Sequence, residues 1–129
     1  MKKKQILVCD DHQSILELMK RGLSKSLNVE VRTVKSGNAL ISYLKNPPIE
    51  PDLLILDLLI PDLEGDDAIP KIRQDERYKN LPIILMSGVI ANLDVRAEVV
   101  GANDYIKKPF SILTLTEKIK PYLLQTEDQ

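Results

Sequence analysis

Apolar and polar positions along this chain switch repeatedly between two rhythms. Ile6-Leu7-Val8-Cys9, Leu53-Leu54-Ile55-Leu56 and Ile83-Ile84-Leu85-Met86 are short, continuous apolar runs, as expected of strands covered on both faces. Val29, Val31 and Thr33 alternate with Glu30 and Arg32, which predicts a half-exposed strand. Tyr105-Ile106 supplies a fifth, shorter run. Between these runs the period becomes helical. Ile15, Leu16, Met19, Leu23 and Leu27 share one helix face. Ala39, Leu40, Tyr43 and Leu44 share another, behind a Ser36 cap and ahead of Asn46-Pro47-Pro48. A third helix is expected over about 64–74, where Pro70 implies a kink or a late start. A weakly amphipathic fourth is expected around 93–100, with Gly101 as its stop. The fifth starts at a Ser111 cap, shows Ile112, Leu115, Ile119 and Leu123, and is interrupted near its end by Pro121.

Strand–helix alternation with connections this short implies right-handed crossovers. The expected fold is therefore α/β, a doubly wound five-stranded parallel sheet with helices on both faces. The three fully apolar runs should be central and the alternating second run should lie at an edge. A chain of 129 residues has room for one domain. No repeat, low-complexity segment or linker divides it.

Composition removes several function classes. Eighteen basic residues against 19 acidic ones give a formal charge of -1, so no global field favours nucleic acid or an anionic membrane. Nothing approaches the ~20 apolar residues needed to span a bilayer. Met1-Lys2-Lys3-Lys4 resembles the charged start of a signal peptide, but the apolar stretch after it stops at Asp10. A cytoplasmic protein without membrane insertion is expected, with the basic run as a solvated tail. The single Cys9 lies inside the first apolar run, where a thiol is buried and inert.

The chemistry gathers at the ends of the runs. Asp10-Asp11 follow the first, Asp57 the third, Ser87 the fourth, and Lys107-Lys108-Pro109-Phe110 the fifth. In a parallel α/β sheet, the crevice beyond the carboxyl ends of the strands is the ligand site. Three carboxylates there repel one another unless protonated or joined by a cation. Oxygen-only ligands with no His or Cys expected nearby favour a hard cation, and Mg²⁺ suits the site beside a phosphoryl group. Asp57 can act as a nucleophile towards phosphorus. Taken one at a time, each residue has a plainer role: a cap for Asp10-Asp11, turns for Asp57 and Ser87, a solvated amine for Lys108. His12, which follows the acids, could be mistaken for a metal ligand or a phosphohistidine, but reads first as a helix-start residue facing solvent.

Together these pieces resemble the receiver domain of two-component response regulators. They comprise Asp10-Asp11; Asp57 with Pro61 and Gly65 in D-L-L-I-P-D-L-E-G; Ser87-Gly88; and G-A-N-D-Y-I-K-K-P-F from Gly101 to Phe110. The resemblance spans about Gln5 to Leu124 and implies a single receiver domain over 1–129, of flavodoxin-like strand order 2-1-3-4-5. It implies that Asp57 is the phosphoacceptor and that Asp11 binds Mg²⁺ directly. Asp10 would act through a metal-bound water, and the carbonyl of Leu59 would complete the protein ligands. Lys108 would pair with a phosphoryl oxygen across a cis Lys108-Pro109 bond, with Lys107 facing solvent. Ser87 would hydrogen-bond the phosphoryl group and Tyr105 would turn inward in response.

The function so implied is that of a phosphoacceptor, not an enzyme acting on external substrates. A sensor histidine kinase or histidine phosphotransfer protein would supply the phosphoryl group. A downstream protein target, with no nucleic acid contacted directly, would read the face formed by the fourth helix, fifth strand and fifth helix. A receiver excised from a hybrid kinase or longer regulator, or a phosphorylation-independent adaptor, are the competing readings. Two features depart from the commonest pattern: the Ser87–Gly101 interval is about one residue short, and Gly88 stands where Ala is frequent. The positions two beyond Asp57 and Ser87 are Leu59 and Val89, both unable to orient a water, which implies a long-lived phospho-Asp57.

Overall fold

The computed structural model describes residues 3–89 and 92–125. Five parallel strands, β1 (Lys4–Cys9), β2 (Val29–Val34), β3 (Leu53–Asp57), β4 (Ile83–Ser87) and β5 (Asp104–Lys107), form one sheet of order β2-β1-β3-β4-β5. Helices α1 (Gln13–Ser26), α2 (Gly37–Lys45), α3 (Gly65–Arg73), α4 (Leu93–Val100) and α5 (Ile112–Gln125) connect or follow them. This is the doubly wound arrangement that the alternation predicts. The alternating strand β2 is at the edge, and the fully apolar β1, β3 and β4 are interior.

Successive side chains of a strand point to opposite faces, so each apolar run feeds two cores. Leu7, Cys9, Leu54, Leu56, Ile83 and Leu85 pack with residues of α2, α3 and α4. Ile6, Val8, Leu53, Ile55, Ile84 and Met86 pack with Leu16, Met19 and Leu23 of α1 and Leu115 and Ile119 of α5. Gly22 lets α1 and α5 meet: a Cβ built there would lie 2.6 Å from Ile112 Cδ1. Cys9 is fully buried, and burial followed by the nearby carboxylates pushes its thiol up to about 12. It is inert, as its place in β1 implies.

Local signals set most element ends. Ser36 Oγ accepts the Ala39 N–H at 3.0 Å, and Ser111 Oγ accepts that of Thr114 at 3.0 Å. Gly101 closes α4 in the left-handed conformation, at φ 87°. Pro70 does not delay the start of its helix, and Pro121 does not end the last one. Helix α3 starts at Gly65, before Pro70, and α5 continues past Pro121 to Gln125. Both prolines are exposed, while Ala68, Ile69 and Ile72 of α3 and Leu115 and Ile119 of α5 are buried. Burial of those faces outweighs the one backbone bond a proline removes from each helix. Lys4 belongs to β1, opposite Val29, and not to a free tail. Met1, Lys2 and 126–129 lie outside the described residues.

Candidate functional site

The carboxyl ends of β1, β3, β4 and β5 bring the predicted polar residues together. Asp10 follows β1, is fully buried, and donates its backbone N–H to the Val34 carbonyl at 3.2 Å. Asp57 ends β3 and is 4% exposed. Met86 is its partner in β4, so the buried Ser87 stands one residue further along the neighbouring strand. Lys107 is paired with Ser87 and faces solvent. The next residue, Lys108, donates its backbone N–H to the Ser87 carbonyl at 3.0 Å, and the bond from Lys108 to Pro109 is cis. The Lys108 ammonium lies inside the crevice.

There its Nζ bridges two acids, 2.7 Å from Asp10 Oδ2 and 2.9 Å from Asp57 Oδ2. The remaining oxygens of both acids are engaged by the backbone. Asp57 Oδ1 accepts the Leu59 N–H at 2.9 Å, and Asp10 Oδ1 accepts the His12 N–H at 2.8 Å. Burial pushes the Asp57 carboxyl above its ordinary value, and the Leu59 and Lys108 hydrogen bonds only partly offset it. Burial also acts upward on Asp10, but its bonds to Lys108 and the His12 N–H hold it below the usual carboxylate range. Burial acts downward on Lys108, yet its hydrogen bonds to the two acids raise it overall. The crevice thus holds a fixed cation between two acids of unequal basicity.

Asp11 is different. Its Oδ1 is buried without a hydrogen-bond donor. An orphaned carboxylate oxygen of this kind is costly unless something positive reaches it. One oxygen or nitrogen from each of Asp10, Asp11, His12 and Asp57 can be chosen so that all four lie within 4.8 Å of one another. The donor set fits a divalent cation.

His12 starts its helix and faces solvent as expected, but its ring is not free of the site. The residue starts α1 and its side chain is 66% exposed, but Nδ1 turns towards the acids, 3.1 Å from Asp10 Oδ1 and 3.0 Å from Asp11 Oδ1. Only the first contact has hydrogen-bond alignment. Tyr105 is half-buried against the core on the α4 side, under Lys118, whose Nζ stands 4.5 Å from the ring centroid. Lys118 also donates to Asp104 Oδ1 at 2.9 Å. The sequence carries no local signal for that contact, which joins β5 to α5.

A family model for the response regulator receiver domain matches residues 6–120. The chain belongs to the response regulator receiver family. A protein-glutamate methylesterase/protein-glutamine glutaminase of Trichodesmium erythraeum is 40% identical over 114 residues, 84% of this chain and 31% of that protein. The alkaline phosphatase synthesis transcriptional regulatory protein PhoP of Bacillus subtilis is 32% identical, over 96% of this chain and 50% of its own. The chain therefore spans a third to a half of these two curated relatives. Among solved structures, a CheY-like receiver domain protein of Methanospirillum hungatei superposes with a TM-score of 0.86 at 27% identity, covering 98% of each chain. The chemotaxis response regulator CheY4 of Vibrio cholerae matches at 0.85 and 23% identity over 94% of this chain and 99% of its own, a likeness of fold. Among the described residues, no helix of this receiver is long and apolar enough to cross a membrane.

Proposed function

We propose that this receiver accepts a phosphoryl group on Asp57 from the phosphohistidine of a sensor kinase or phosphotransfer protein. The observation that carries the reading is the Lys108 bridge, which holds a cation against the buried, basic carboxylate of Asp57. An Asp57 oxygen attacks phosphorus in line. The O–P bond forms as the N–P bond of the donor breaks, and the electron pair returns to the imidazole nitrogen. Such a transfer needs positioning and charge neutralisation above all. Lys108 follows the developing negative charge from the carboxylate to a phosphoryl oxygen. Asp10, Asp11, Asp57 and the Leu59 carbonyl would hold Mg²⁺, which would supply charge neutralisation for the carboxylates and the transferring group.

Ser87 Oγ now accepts the Val89 N–H at 3.3 Å and is positioned to donate to the new phosphoryl oxygens. Tyr105 follows inward, leaving its contact with Lys118, which is worth about 1 kcal/mol at a partly solvated site. The face of α4, β5 and α5 changes shape and a downstream protein reads it, a local charge event biasing a bistable element. As a single receiver domain over 1–129, the chain works in the cytoplasm. Incubation with a small acyl phosphate, with and without Mg²⁺, tests the reading by intact mass. One added phosphoryl group with Mg²⁺, absent with a chelator and in Asp57→Asn, is expected. An unchanged mass under both a small donor and a kinase would instead favour a phosphorylation-independent adaptor.

A further inference from the structure

The chain contains one histidine, and its ring is turned into the acidic crevice although most of its surface is open to water. Nothing in the helix start requires this. As N-cap of α1, His12 makes no side-chain cap hydrogen bond. The backbone N–H of His12 already satisfies Asp10 Oδ1.

The distances point to a use. Octahedral ligands at metal bonds of about 2.1 Å are separated by roughly 3.0 Å along each edge of the octahedron. The gaps from His12 Nδ1 to Asp11 Oδ1 and Asp10 Oδ1 are 3.0 and 3.1 Å. The first joins the ring nitrogen to a buried oxygen that has no hydrogen-bond donor. Two donor atoms on successive residues are thus already spaced as neighbouring positions of one coordination sphere.

We propose that His12 Nδ1 is a protein ligand of the divalent cation, so that this site favours imidazole-accepting first-row ions over Mg²⁺. The inference rests on the metal site assigned above. Binding needs the neutral ring with its proton on Nε2; the Nδ1 lone pair then goes to the cation and its contact with Asp10 Oδ1 is given up. Carboxylate, carbonyl and water ligands suit Mg²⁺, whereas imidazole shifts preference towards ions such as Co²⁺. His12 would be a specificity-determining residue, setting which ion accompanies the phosphoryl transfer.

The test uses untagged protein, so that any imidazole signal has a single source. Mn²⁺ is added and nitrogen couplings are read by pulsed electron paramagnetic resonance. Calorimetry gives the affinities for Co²⁺ and Mg²⁺ in the wild type and in His12→Ala. The proposal expects a coordinated-imidazole coupling in the wild type, lost in the variant, and a Co²⁺-to-Mg²⁺ affinity ratio that falls about tenfold or more. Mn²⁺ bound without nitrogen coupling, or an unchanged ratio, would overturn the role of His12 and leave the carboxylate site standing. No binding of any of the three ions would overturn both. Circular dichroism of His12→Ala guards against a folding defect, and His12→Gln, which retains a polar side chain without the ring, is expected to lose the coupling too.

Discussion

Replacing Lys108 with Met tests the crevice electrostatics most severely. The change keeps the length and apolar stem but removes the cation 2.7 Å from Asp10 and 2.9 Å from Asp57. At those distances each attraction is about 6 kcal/mol with an effective dielectric constant of 20. Desolvation of the buried groups cancels much of that. Removing one partner from a buried pair costs roughly 3–5 kcal/mol, and Lys108 remains partly solvated, so a net loss of about 2–3 kcal/mol is expected. The pH dependence carries a sign. In the wild type, Asp10 is held low and contributes stability at neutral pH that is lost only as pH falls through its depressed value. Without Lys108, both acids rise above their unfolded values, so the variant gains stability as pH falls and loses it as pH rises. Urea denaturation followed by circular dichroism, in chelator, should therefore show a deficit at about pH 7.5 that shrinks towards about pH 5. Added Mg²⁺ should restore part of it. A deficit under ~1 kcal/mol at neutral pH, or one independent of pH, would refute the reasoning.

Gly22→Val should cost about 2 kcal/mol by overpacking the α1–α5 contact, and pairing it with Ile112→Ala should recover most of the loss; a stable single variant would show that α5 shifts freely. Ile15, Leu18, Pro109 and Phe110 flank a groove beside Lys108, and the protein that donates the phosphoryl group is expected to seat there. Leu18 is 51% exposed, so Leu18→Ala should leave stability within about 0.5 kcal/mol and slow transfer from a protein donor, while phosphorylation by a small acyl phosphate is unchanged; equal slowing of both would rule out the docking role. Phospho-Asp57 should be long-lived, because Leu59 and Val89, 49% and 75% exposed, present no group that orients an attacking water; release of phosphate within seconds at neutral pH with Mg²⁺ would contradict this.

Much of the fold was legible because its causes are local or periodic. Continuous apolar runs marked β1, β3 and β4 as interior, the Val29–Val31–Thr33 alternation marked the edge, and Ser36, Gly101 and Ser111 marked helix ends. The clustering of Asp10, Asp57, Ser87 and Lys108 followed from strand ends meeting on one side of a parallel sheet. What escaped depends on partners far apart in sequence. Asp62 accepts the N–H groups of Gly37 and Asn38 at 2.8 and 2.9 Å, capping α2 from 25 residues away. Arg73 ties the carbonyls of Tyr78, Lys79, Leu81 and Gly101 and the Asn103 side chain together, bridging the loops before β4 and β5. Pro121 misled because local backbone cost was weighed without the burial gained by the opposite helix face. His12 is the exposed helix-start residue its position suggests, yet it aims one ring nitrogen inward.

The central claim is that Asp57 itself carries the phosphoryl group, and hydride trapping addresses it directly. Borohydride reduces an aspartyl phosphate to homoserine, releasing phosphate, and peptide sequencing by mass spectrometry then locates the altered residue. Protein treated with acyl phosphate and Mg²⁺ should show homoserine at position 57 and at no other aspartate. Homoserine at Asp10 or Asp11, or none anywhere in protein that has gained phosphate, would contradict the account.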